Sequence, residues 1–349
     1  MVEDRNMARN GKIRVAVDAM GGDYAPEETV KGAVLAAQKD DVEVFLVGIS
    51  DTLKQELAKY ELTNGSSVHI VGASDFIREN ESPVDVIRRR PNCSVAVAAK
   101  MVKSGEADAL LSAGSSGAAA ISAIQYIGML DGVYRPAIVG SLGSFASNTV
   151  MVDLGANVDC KPHQFLTFAI AGSVYAKKFL NIADPKIALL SMGSEETKGS
   201  EAVREAYSLL KNSGLNFIGN IEGGDILKGK ANVIVCDGFV GNVLLKFFES
   251  IGGHAQVWTE RKLKKHPPVR ALARLLFKKL FPATKISSET EKQGGGILWG
   301  VAGVVKIAHG ASRAPQIADA IESAKEAVKA GVVESMKLEL AKFNRGGKL

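Results

Sequence analysis

Aspartate, serine, lysine and asparagine recur in five short glycine-rich turns, and these residue types at these spacings can bind an anion. The turns read Asp18-Ala19-Met20-Gly21-Gly22-Asp23, Ser112-Ala113-Gly114-Ser115-Ser116-Gly117, Asp153-Leu154-Gly155-Ala156-Asn157, Ser191-Met192-Gly193-Ser194 running on to Lys198-Gly199, and Asp237-Gly238-Phe239-Val240-Gly241-Asn242. Each follows a short apolar run, at 13–17, 109–111, 150–152, 187–190 and 233–235, and clearly helix-like segments follow four of them. Strand, glycine turn and helix in that order aim backbone N–H groups and the positive end of a helix past the carboxyl edge of a sheet. One such turn is weak evidence of a phosphate site. Five along one chain predict a single cleft for an anionic substrate.

The elements that must carry these turns alternate along the chain. Apolar runs at 42–47, 68–71 and 217–221 add strands, and 137–139 with 149–152 form a hairpin or an antiparallel edge on a mostly parallel sheet. Helices are expected from Pro26, over 83–90, 94–102, 118–127, 162–179 and 201–210, and from Val243. Small residues Ala169, Ala171, Gly172 and Ala176 suit the 162–179 helix to close packing. The last third reads as helical: a basic insertion, a turn at Gly294-Gly295-Gly296, and a helix over 314–330. The alternation runs without an obvious linker, so residues 12–349 read as a single α/β domain behind a loose polar tail at 1–11.

Composition narrows the class. With 349 residues, 46% hydrophobic and 23% charged, the chain has ample material for a core. Cys93, Cys160 and Cys236 have no metal-like spacing, which excludes a disulfide framework and predicts a reducing compartment and no bound metal. No apolar run is long enough to span a bilayer and no signal-peptide core opens the chain, so the protein reads as cytoplasmic. The net charge of +5 hides an asymmetry. Residues 253–286 carry about +8 and the remainder about −3, which argues against a nucleic-acid partner because the charge is confined to one insertion. There Val269, Leu272, Ala273, Leu276 and Leu280 share one helical arc, Leu275, Phe277 and Phe281 widen it, and Arg270, Arg274 and Lys278 line up elsewhere. Such a helix could pack a dimer, lie on an anionic membrane, or dock an acidic protein.

The turns resemble one family. Asp18-Ala-Met-Gly-Gly-Asp-x-Ala-Pro26, Ser112-Ala-Gly-x-x-Gly-Ala118, Asp153-x-Gly-Ala-Asn-x-Asp159, Lys198-Gly199 and Asp237-Gly-Phe-x-Gly-Asn242 look like the bacterial phosphate acyltransferases of phospholipid synthesis, in the same order and over about residues 12–335. The resemblance implies a Rossmann-like three-layer α/β fold with a mostly parallel sheet, similar to phosphotransacetylases and isopropylmalate dehydrogenases, and a helical C-terminal part. It implies a homodimer without cofactor that transfers a fatty acyl group from acyl carrier protein to inorganic phosphate. The product would feed glycerol-3-phosphate acylation at the inner face of the cell membrane, with peripheral attachment there and the membrane glycerol-3-phosphate acyltransferase as a possible partner. One departure stands out: Ser115-Ser116 replaces the family's usual Asn-Thr.

That chemistry assigns expected roles. Phosphate must attack a thioester carbonyl, so the site needs anion binding, an oxyanion donor and release of a thiolate. Lys198 supplies a charge for phosphate or oxyanion, Asn242 a second donor, and Asp237 an orienting or proton-transfer carboxylate. Asp18, Gly21, Gly22, Gly114, Ser115, Ser116, Gly117, Gly155, Asn157 and Lys161 are expected to bind phosphate or substrate, chiefly through main-chain N–H groups and hydroxyls. Arg270, Leu272, Arg274, Leu276, Phe277, Lys278 and Leu280 are expected to contact membrane or carrier protein. Plainer roles compete: Asp18 and Asp153 as caps, Lys198 as a solvated lysine, Cys160 and Cys236 as packing, His309 as structural. A coenzyme A-dependent phosphotransacetylase, a metal-dependent decarboxylating dehydrogenase with Mg²⁺ held by aspartates, and a non-catalytic membrane-recruited scaffold are the alternative functions. No Gly-x-Gly-x-x-Gly fingerprint with a following acid favours the dehydrogenase.

Overall fold

The computed structural model describes residues 11–39, 41–62, 67–78, 80–142, 146, 148–262 and 295–345. They group into two compact units, Met1–Ile138 with Gly294–Leu349, and Val139–Gln293. The second unit is an insertion in the chain of the first.

In the first unit the strands are β1 (Ile13–Asp18), β2 (Val42–Gly48), β3 (Ser67–Gly72), β4 (Ala109–Ser112), β10 (Gly296–Trp299) and β11 (Val304–Ile307). They stand in the order β3-β2-β1-β4-β11-β10, all parallel except the β10–β11 pair. Between them run α1 (Glu27–Ala37), α2 (Ser50–Leu57), α3 (Pro83–Arg89), α4 (Ser94–Ser104) and α5 (Ser116–Ser122), which continues as a π-helical turn over Ala123–Ile127. Central strands are buried on both faces, so Val15, Ala16, Ala109, Leu110 and Leu111 are fully enclosed and read as unbroken apolar runs.

In the second unit β5 (Ala137–Ser141, which begins in the first), β6 (Val150–Val152), β9 (Val233–Val235), β7 (Ile187–Leu190) and β8 (Phe217–Ile221) are neighbours in that order. Only β5 and β6 are antiparallel, the hairpin expected from sequence. The helices are α6 (Pro162–Phe179), α7 (Glu201–Lys211), α8 (Gly223–Ile226) and α9 (Gly238–Lys262). The small face of α6 packs as expected: a Cβ on Gly172 would lie 2.3 Å from Val233 Cγ1, so the helix presses directly on the sheet. The first unit then closes with α10 (Ala314–Lys329) and α11 (Val332–Arg345).

The mostly parallel α/β class holds, but the last third is not purely helical. The four-residue strand β11 pairs with the central β4 of the first unit, and β10, of the same length, pairs with β11. The runs are short, and Lys306 interrupts the apolar pattern of β11, which hides the strand in sequence. In the structure Lys306 is 1% exposed and its ammonium donates to the Gly295 carbonyl at 2.8 Å. Burial pulls its pKa down to about 7, with Glu326 acting weakly in the other direction. No helix among the described residues is long and apolar enough to cross a membrane.

Candidate active site

The first unit gathers two of the five turns, together with the loop after β11. Asp18 ends β1 and Ser112 ends β4, and the two residues are register partners. Ser112 Oγ donates to Asp18 Oδ2 at 2.8 Å and accepts the Gly114 N–H at 3.1 Å. The Ser112 carbonyl accepts the Ala308 N–H at 2.9 Å, and the Gly310 carbonyl accepts the Asp23 N–H at 2.9 Å, so residues 308–313 close the group. Gly21 lies flat on its neighbours: a Cβ there would sit 2.6 Å from Asp18 Oδ2 and 2.9 Å from Gly114 N. Below it, the Thr29 hydroxyl donates to the Ala19 carbonyl and Arg313 stacks on the Tyr24 ring.

Two kinds of side chain result. Asp18 is 4% exposed, and burial pushes its carboxyl above the usual range against the opposing pull of Ser94, Ser112 and the Met20 N–H. It is buried at the end of β1 and holds the neighbouring turn through Ser112. Ser115, Ser116 and Gly117 are exposed. Ser115 precedes α5 without a side-chain cap bond, so its hydroxyl does not cover the first-turn amides.

The second unit gathers the other three turns. Asp153 is fully buried, and its carboxylate takes the turn that follows it. Oδ1 accepts the N–H groups of Gly155 at 3.2 Å and Ala156 at 3.1 Å; Oδ2 accepts Asn157 N–H at 2.7 Å and Asn157 Nδ2 at 2.8 Å. The backbone N–H groups of Gly155, Ala156 and Asn157 thus already donate to Asp153, and one N–H of the Asn157 side chain does too, so a phosphate here would have to share these donors. An aspartate closing a strand before Gly-Ala-Asn satisfies its own turn, the capping role weighed for it.

Against this turn lies the one that opens α9. Gly238 N–H donates to the Asn157 carbonyl at 2.7 Å, and a Cβ on Gly241 would fall 1.8 Å from the Asp153 carbonyl oxygen. Asp237 Oδ1 caps the helix by accepting Val240 N–H at 2.8 Å, so one oxygen of this expected catalytic carboxylate is engaged. Asn242 is exposed and covers Gly155: a Cβ there would meet the Asn242 side chain at 3.3 Å, and the backbone sits at φ +128°. The third loop is pinned by Ser191 N–H donating to the Ile221 carbonyl and Asn220 Nδ2 donating to the Glu195 carbonyl. It presents Lys198, which is exposed and makes no side-chain hydrogen bond or ion pair among the described residues. Lys161 is exposed at the start of α6, where its N–H donates to Gln164 Oε1.

The cysteines fit packing. Burial raises all three thiols, Cys160 to about 12, so none is a thiolate near neutral pH. No group of three or more metal-ligating side chains occurs among the described residues. Arg270, Leu272, Arg274, Leu276, Phe277, Lys278 and Leu280, expected to touch membrane or carrier protein, lie outside the described residues. The sequence places Ser112 at the head of its turn without giving it a role, and of the 308–313 loop it singles out only His309, as structural. The signal for Ser112 was its place as the last residue of a buried strand, where a hydroxyl must find partners.

Comparison with known proteins extends these observations. The model of a family described as "Fatty acid synthesis protein" matches residues 13–335. "Phosphate acyltransferase" of Pelotomaculum thermopropionicum is 42% identical over 93% of this chain and 94% of its own. "Phosphate acyltransferase" of Desulfitobacterium hafniense is 42% identical over 95% of this chain and 98% of its own. Among solved structures, a phosphotransacetylase from Streptococcus pyogenes superimposes with a TM-score of 0.63 at 21% identity, covering 92% of this chain and 95% of that one, which shows a shared fold.

Proposed function

The chain belongs to the phosphate acyltransferase family, and from that premise we propose that it transfers a fatty acyl group from acyl carrier protein to inorganic phosphate. A phosphate oxygen attacks the thioester carbonyl carbon. The new C–O bond forms as the C–S bond breaks, and the departing thiolate takes up the proton that phosphate brings, leaving acyl phosphate and free carrier thiol. No cofactor enters this balance.

The observation that carries the reading is the contrast in the second unit between committed and uncommitted donors. Asp153 holds the turn rigid, while Lys198 and Asn242 stay exposed on backbone that the turns fix. A cation and an amide held in this way suit the oxyanion that develops at the thioester carbonyl. Asp237, with one oxygen on the helix cap, orients the turn that carries Asn242. In the first unit the amides after Gly114 and the hydroxyls of Ser115 and Ser116 suit a phosphate group. The basic insertion suits an anionic membrane surface and an acidic carrier, and the protein acts as a homodimer at the inner face of the membrane, passing acyl phosphate to a membrane glycerol-3-phosphate acyltransferase.

Donor choice tests the reading. The protein is incubated with phosphate and either acyl-acyl carrier protein or acyl-coenzyme A, and acyl phosphate is trapped with hydroxylamine. Acyl phosphate from the carrier thioester is the expected result. Formation from coenzyme A thioester alone would make the protein a phosphotransacetylase instead.

A further inference from the structure

We propose that Ser112 is a positioning residue whose hydroxyl, bridging Asp18 and Gly114, fixes where the second glycine turn presents its amides to a phosphate group. The inference rests on the reading of that turn given above and adds a role for a residue that the motif contains but leaves without one.

The geometry is specific. Ser112 is 1% exposed at the end of β4, in register with Asp18 at the end of β1. A buried hydroxyl needs partners, and this one has a partner for each function: it gives its proton to Asp18 Oδ2 and takes the Gly114 N–H. Its carbonyl holds Ala308. One residue therefore ties together the turn after β1, the turn after β4 and the loop after β11. In the second unit a carboxylate binds its own turn directly through four donors. In the first unit the buried carboxylate reaches the neighbouring turn through a single hydroxyl, and the amides of Ser116 and Gly117 make no hydrogen bond among the described residues.

Removing the hydroxyl takes a partner from Asp18 Oδ2 and from Gly114 N–H at once. Among the described residues Asp18 Oδ1 has no hydrogen-bond partner, so loss of the hydroxyl leaves the carboxyl held more weakly. Gly114 is then free to swing, and the amides that follow lose their fixed aim. The loss falls on binding more than on the chemical step, since Ser112 touches no reacting atom.

Steady-state kinetics on the full-length protein, with inorganic phosphate and acyl-acyl carrier protein varied in turn, tests this. Ser112→Ala should raise one KM about tenfold, the worth of one buried hydrogen bond, while kcat falls far less. A rise in the phosphate KM identifies inorganic phosphate as the ligand of the turn. A rise in the carrier KM identifies the phosphodiester of its prosthetic arm. Ser112→Thr, which keeps the hydroxyl, should restore most of the affinity. Ser112→Cys is nearly isosteric and keeps only a weak donor and acceptor, so it should fall between alanine and threonine, and it serves if the alanine variant fails to fold. Folded Ala and Cys variants with both KM values unmoved overturn the inference while leaving the reaction intact. Absence of acyl phosphate from the wild-type protein overturns the reaction and takes this inference with it.

Discussion

In the second unit Asp153 accepts three backbone N–H groups and the Asn157 amide from the turn directly after it, whereas in the first unit Asp18 accepts the hydroxyl of Ser112 from the next strand. Both aspartates are buried, both close strands, and both precede glycines. Their carboxyl groups nonetheless build different things. Asp153 makes a saturated, rigid base on which Gly238 and Gly241 rest and over which Asn242 is displayed. Asp18 makes an anchor at one remove, keeps an oxygen without a partner among the described residues, and leaves the amides of Ser116 and Gly117 open. A buried aspartate at a strand end before a glycine turn therefore marks a fixed backbone, and the amides of the turn are available only where the carboxylate is engaged elsewhere.

The largest effect should come from removing the saturated anchor. Asp153→Ala orphans four donors and should cost about 3–5 kcal/mol of stability, against about 1–3 kcal/mol for Asp18→Ala. Urea unfolding of the two variants measures both, and an inverted order would break the comparison. Next come the displayed groups. Lys198→Ala and Asn242→Ala should each lower turnover by about 10² or more with little change in unfolding midpoint, as expected for exposed donors held by a rigid base. Near-normal rates in either variant would remove that residue from the mechanism.

The smallest effect sharpens the contrast through pH. Burial raises the Asp18 carboxyl, so the folded protein holds that proton more tightly than the unfolded chain does. Its contribution is therefore complete below the ordinary value of 3.8 and declines as pH rises through the folded pKa. Asp18→Asn keeps an acceptor for Ser112 but cannot ionise. Relative to wild type it should gain stability steadily from about pH 4 upward and level off above the folded pKa. Unfolding midpoints across that range check the slope, and a variant that loses ground as pH rises would contradict the buried Asp18.

Much of this arrangement was legible in the amino-acid order. The runs before the turns are short and apolar because central parallel strands are buried on both faces, and they fold as strands. The antiparallel pair of β5 and β6 followed from two runs joined by a brief loop. The strands β10 and β11 were hidden because four residues with a lysine inside give no clear period; what holds them is pairing beside β4 and burial of Lys306. Gly155 and Asn157 were expected to hold phosphate because their residue types permit it. Spacing cannot show that a carboxylate two to four residues earlier folds back on the same donors.

The sequence by itself determined the α/β class, the turns with their order, and membership of a phosphate acyltransferase family, because these depend on local pattern and residue identity. Only the tertiary structure decided which turns share a unit, which amides are taken, and which side chains stay free. Those outcomes depend on partners distant in the chain: Asp18 and Ser112 are 94 residues apart, and Asn242 covers a glycine near residue 155. A hydrogen-bond donor has no fixed role until the fold places an acceptor within about 3 Å of it.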